Sequence, residues 1–135
     1  MITATAANAI AQQSSNAPPA PIKLEEYAAT NDVAKPAGVQ FVSLRCASLY
    51  MFVSEWLKQE DRREMAAKFE EAAKSFLTAA LGVAKGQENF VTDQVPRMIA
   101  IYSDRARAAK AATGNVFEDP ILHSDILFCK RIAGR

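Results

Sequence analysis

Apolar residues are densest between Val39 and Gln59, VQFVSLRCASLYMFVSEWLKQ, and the chain downstream is organised around that run. At helical spacing Val42, Cys46, Leu49, Val53 and Trp56 form one stripe, while Phe41, Leu44, Met51 and Phe52 make its flanks apolar too. Gln40, Ser43, Ala47, Ser54 and Lys58 remain as a narrow seam fit to face water. A helix apolar around most of its circumference either crosses a membrane or lies among several helices, because one partner covers only one stripe. Arg45 and Glu55 favour the second reading. A spanning helix needs roughly 20 apolar residues, and a charge at the bilayer centre costs about 2.5 to 3.5 kcal/mol. The expectation is a soluble helical domain without a membrane span, with Phe52 and Trp56 buried at its centre.

Continuing the same stripe past Trp56 reaches Glu60, Asp61, Glu64, Lys68 and Glu71, whereas the next apolar set, Met65, Phe69, Ala72, Phe76, Ala80 and Val83, has a different phase. A turn near Lys58 to Asp61 restores register. Asp61 followed by Glu64 reads as a capping box opening a second helix from Arg62 to Lys85, ended by Gly86. Thr92 and Asp93 read as caps of a third helix, since Pro96 fits best in a first turn, where its missing N–H has no intrahelical partner. Its inner stripe is Val95, Met98, Ile99, Tyr102, Ala106 and Ala109, and Gly114 closes it. Asp119 and Pro120 read as N-cap and N1 of a fourth helix with Leu122, Ile126, Cys129 and Ile132 inward and Gly134 at its end.

Short connections make consecutive helices antiparallel, so the predicted fold is all-α, an up-down-up-down four-helix bundle over 38–135. Residues 1–37 read as a flexible, disordered tail and linker. The first 21 residues carry no charge and bury too little to offset ordering. Pro18, Pro19 and Pro21 favour extension, Ile22 to Thr30 forms a short helix or lies along the domain, and Pro36 pushes Lys35 to extended geometry. Ala9-Ile10-Ala11 has the form of a signal-peptidase site, making 1–11 either a signal-peptide remnant or a low-complexity stretch in which that pattern is coincidental.

With 135 residues, 50% of them hydrophobic, the chain suffices for one domain. Its net charge is +1, with nine Lys/Arg against ten Asp/Glu in residues 1–90 and seven against five in 91–135. That near-balance argues against nucleic acid as a partner, which requires clustered positive charge, and gives no polybasic anchor for anionic lipid.

Cys46 and Cys129 fall at comparable heights on inward faces of the first and fourth helices, within reach of a disulfide that would close a loop of more than eighty residues. Two buried thiols are the alternative. The segments RCASLYMF and DILFC, with a charged amphipathic helix between them, resemble the small exported all-helical proteins of proteobacteria that carry a single disulfide. The resemblance covers roughly residues 40 to 132 and implies fold and an exported location, but no activity.

His123 is the sole histidine, which leaves no di-iron pair, no ordinary zinc site and no plausible base for a Cys or Ser nucleophile. Phosphate loops and Cys-x-x-Cys motifs are absent. No catalytic or metal-ligating set is expected, and no cofactor. The expectation is a non-enzymatic periplasmic or secreted protein, monomer or homodimer, that binds another protein or protects the envelope. Two alternatives stand beside it. One is a carrier of b-type haem or a small ligand, with His123, Met51 and Met65 as ligands. The other is a cytoplasmic or virion structural subunit.

Overall fold

The computed structural model describes residues 21–134, so the candidate signal-peptidase site lies outside the described residues. Within them the chain is all-helical and has no strand: α1 (Leu24–Thr30), α2 (Pro36–Gln59), α3 (Arg63–Gly82), α4 (Glu88–Thr113), a single 3₁₀ turn (Val116–Glu118) and α5 (Pro120–Ala133). Lys35 is extended, as the Lys-Pro pair predicts, but α2 starts at Pro36 rather than past Gly38. The stretch before it is no flexible linker: Leu24 of α1 is fully buried in the core and Tyr27, Ala28 and Val33 pack against it, which adds a fifth helix to the four expected. Gly38 is required in the first turn of α2, because a Cβ would come within 2.3 Å of the Asp32 carbonyl oxygen in the turn that links α1 to α2.

α2 is the centre of the molecule. Every residue from Val42 to Tyr50 is buried, so the water-facing seam expected on this helix is lost along its length: Ser43, Ala47 and Ser54 lie in the interior, Gln40 is half-buried and Lys58 alone of the five is exposed. Small residues serve there because α3 comes close. Ala66, Ala73 and Ala80 repeat every seven residues along α3, all fully buried, and the Ser54 hydroxyl donates to the Ala66 carbonyl at 3.0 Å. This alanine line, with Phe76, is the inner face of α3, and Met65 is left 41% exposed. α2 has the length and apolarity of a membrane span, and 67% of its most apolar window is buried against the rest of the fold.

Asp61 does not open α3. It has φ +59, its N–H bonds to the Lys58 carbonyl, and the Arg62 N–H reaches back to the Leu57 carbonyl at 2.8 Å. Those paired bonds are a Schellman ending, so Asp61 occupies the left-handed position that closes α2, and α3 starts without a side-chain cap. Asp tolerates that geometry better than most residues, which makes the sequence ambiguous between cap and terminator. α3 ends at Gly82 rather than Lys85, and Gly86 takes φ +77 in the connection that follows.

α4 also starts earlier than Thr92. Val91 is completely buried with Val95, Leu44, Ala80 and Ala84, and that burial holds a full turn of helix upstream of Pro96. Pro96 therefore sits inside the helix, exposed, and Thr92 donates its hydroxyl to the Glu88 and Asn89 carbonyls instead of capping. Gly114 closes α4 in left-handed geometry. Asp119 caps α5 as predicted, accepting from the Ile121 and Leu122 amides and from Arg105 Nε at 2.9 Å.

Candidate functional site

Cys46 and Cys129 are joined, with Cα atoms 5.6 Å apart and both side chains fully buried. The bond ties the middle of α2 to the third turn of α5. Neither thiol is available as a nucleophile or metal ligand in this state.

Beside it lies a charge cluster that helical periodicity does not mark. Arg45, next to Cys46, and Asp125, one turn before Cys129, form an ion pair with side chains 2% and 0% exposed. Tyr102 of α4 completes it: its hydroxyl donates to Asp125 Oδ2 at 2.6 Å and accepts from Arg45 Nε at 2.8 Å. The other carboxylate oxygen accepts the Leu24 N–H at 2.8 Å, satisfying an otherwise orphaned amide of the first turn of α1. Four helices thus converge on one carboxylate. Burial works against the charge on Arg45, but the facing Tyr102 and Asp125 oxygens outweigh it and raise the guanidinium pKa. Burial, more than any neighbour, pushes the Tyr102 phenol far above its ordinary range. Phe41 covers the guanidinium at 5.6 Å, and Tyr27 of α1 stacks on Phe41 with ring centres 4.0 Å apart.

The sequence does carry a signal for this cluster. Each residue is an isolated charge within an apolar helical run, the two are opposite in sign, and a helix buried all round cannot hold an unpaired charge. Both Asp125 oxygens and the Tyr102 hydroxyl are partnered, and the cluster is shut from solvent. Its chemistry is structural, fixing the register of α1, α2, α4 and α5.

The opposite face of α5 is open. α3 and α5 make little contact with each other, and the gap between them is an apolar groove of about 310 Å³. Its floor is Val53, Trp56 and Leu57 at the end of α2, with Phe117 set edge-on to Trp56 at a ring distance of 5.0 Å. Met65 and Phe69 form one wall. His123, Ile126, Leu127 and Lys130, at spacings i, i+3, i+4 and i+7, form the other. Met65 is 41% and Leu127 46% exposed, and Trp56, expected in the core, is only half-buried. Arg62, His123 and Lys130 edge the groove and no carboxylate lines it. None of these three forms an ion pair among the described residues.

Of the three candidate haem ligands, the groove brings together His123 and Met65, but Met51 lines a separate depression with Ser54, Glu55 and Ile99. Of the inner face predicted for α5, Leu122 and Cys129 are fully buried, while Ile126 and Ile132 are half-buried and Ile121, Asp125 and Phe128 take the interior with them. Among the described residues no three His, Cys, Asp or Glu side chains come together as a metal site. No family model, curated protein or solved structure matches the chain.

Proposed function

We propose that this is a non-enzymatic protein of an oxidising compartment, periplasmic or secreted, which acts by binding another protein through the groove between α3 and α5. The carrying observation is the groove itself. Trp56, Met65, Phe117 and Leu127 present aromatic and flexible apolar surface in one concave place, the composition that interface centres favour. The groove rests on a scaffold locked by the Cys46–Cys129 bond and the charge cluster behind it, so little ordering free energy is lost on binding. The disulfide supports the exported location, since such bonds persist in oxidising compartments. It also accords with the likeness to small exported single-disulfide helical proteins, and with reading the four long helices as an up-down-up-down bundle.

The test is a photo-crosslinking residue placed at Leu127 in cells of the native source, with a second at Arg107, exposed on α4 outside the groove, as control. A discrete adduct from position 127 and none from 107 is the expected result. No adduct, or the same adducts from both, overturns the reading. The carrier alternative retains one observation, His123 and Met65 in the same groove. A Soret band on adding haem, abolished by His123→Ala, would replace our reading with it.

A further inference from the structure

The groove's charge pattern points to its occupant, and this inference rests on the groove being the binding surface. On α5 the apolar pair Ile126 and Leu127 is bracketed by His123 and Lys130, seven residues apart, or about 10.5 Å along the helix axis. Arg62 stands beside Met65 on the facing wall, its guanidinium 3.5 Å from the thioether sulfur. Apolar floor, positive rim on both walls and no lining carboxylate define the complement: an apolar centre with negative charge on both sides.

A single-headed anionic amphiphile, such as a fatty acid, meets only one end of that pattern. The volume, about 310 Å³, is also at the small end of sites that enclose whole ligands, about 300 to 1,000 Å³. A few side chains of a partner fill it better. An open trough two helical turns long between two helices suits an amphipathic helix lying lengthwise, with anchors at i, i+4 and i+7 replacing the direct α3–α5 packing that the fold lacks. We propose that the groove receives an amphipathic helix of a partner protein whose apolar anchors are flanked by Asp or Glu, the flanking carboxylates facing Arg62 on one wall and Lys130 on the other.

Trp56 is the single tryptophan and lies in the groove floor, so occupancy reads out in intrinsic fluorescence without a label. The probes are two hydrocarbon-stapled helical peptides of roughly 15 residues with Leu anchors, one Glu-flanked and one Lys-flanked, and dodecanoate, titrated into the disulfide-intact chain. The Glu-flanked peptide should shift Trp56 emission and lose affinity as salt rises from about 0.05 to about 0.5 M. The exposed pair change Arg62→Glu/Lys130→Glu should weaken it by about tenfold and give that affinity to the Lys-flanked peptide. Because both side chains are on the surface, a circular-dichroism melt unchanged from wild type verifies that the variant is folded.

A Lys-flanked peptide binding the wild type as tightly, or dodecanoate binding while neither peptide does, overturns the acidic helix but leaves the groove as the binding surface. A concentration-dependent dimer abolished by Leu127→Lys also overturns it, in favour of a second copy of the chain. Silence of Trp56 and of calorimetry toward all three probes overturns occupant and groove together.

Discussion

The two faces of α5 invert the usual rule. Its inner face buries a carboxylate completely, while its outer face leaves Leu127 46% exposed. Asp125 is tolerated inside because Arg45, Tyr102 and the Leu24 amide meet both its oxygens, whereas Leu127 is left outside because no helix of the described fold covers that side. Burial follows from partners rather than from residue type. The inner face is where stability should be concentrated, and the outer face is where recognition should be.

Reducing the disulfide tests the inner face most severely. It frees a loop with a sequence separation of 83, and the chain-entropy model puts the loss at about 4.5 kcal/mol. A melting temperature lowered by more than about 10 °C in reductant, and equally by Cys46→Ala/Cys129→Ala, is expected from calorimetry. An unchanged midpoint would show that the fold does not depend on this bond. Asp125→Ala should cost about 3 to 5 kcal/mol by denaturant titration, since it strands the Arg45 charge in the interior. Arg45→Met/Asp125→Leu should recover part of that loss, leaving the Leu24 amide without its acceptor and the Tyr102 hydroxyl without either partner. If the double change is as damaging as the single one, the cluster contributes more than charge compensation.

The comparison can be sharpened at the start of α5. Asp119→Ala should cost about 1 kcal/mol at neutral pH by removing the cap. Burial raises the Asp119 pKa, but Arg105 and the Leu122 and Ile121 amides overcome it, so the folded value is depressed. Its contribution is therefore complete above the ordinary carboxylate range, about pH 4, and is lost as pH falls through the depressed folded value. The stability gap between wild type and Asp119→Ala should narrow below that range in pH-dependent denaturation. The smallest effect belongs to the outer face: Leu127→Ser should change stability by less than about 0.5 kcal/mol while weakening the Trp56 fluorescence response to the Glu-flanked helix. A large loss of stability at Leu127 would mean that the groove closes in solution.

The sequence made the helical class, the central position of α2, the Asp119 cap and the pairing of Cys46 with Cys129 legible, because each depends on local periodicity, capping chemistry or matched height. What it hid depends on tertiary contact. Asp61 can open or close a helix, and only the docking of α3 decides; Pro96 belongs in a first turn until Val91 finds a buried site one turn earlier. The groove was invisible because it is a gap. Periodicity assigns each helix a face, but not whether the faces of α3 and α5 meet.

The alanine line of α3 bears on the order in which the fold assembles. Ala66, Ala73 and Ala80 meet α2 across a turn only a few residues long, so these contacts form at small sequence separation, whereas the disulfide and the Arg45–Asp125 pair join segments 83 and 80 residues apart. Loop closure favours the near contacts first. The α2–α3 hairpin should act as the nucleus onto which α4 and then α5 condense, and substitutions at the alanines should slow refolding while those at Asp125 mainly hasten unfolding. Oxidised chain, with its longest loop already closed, should then refold faster than reduced chain.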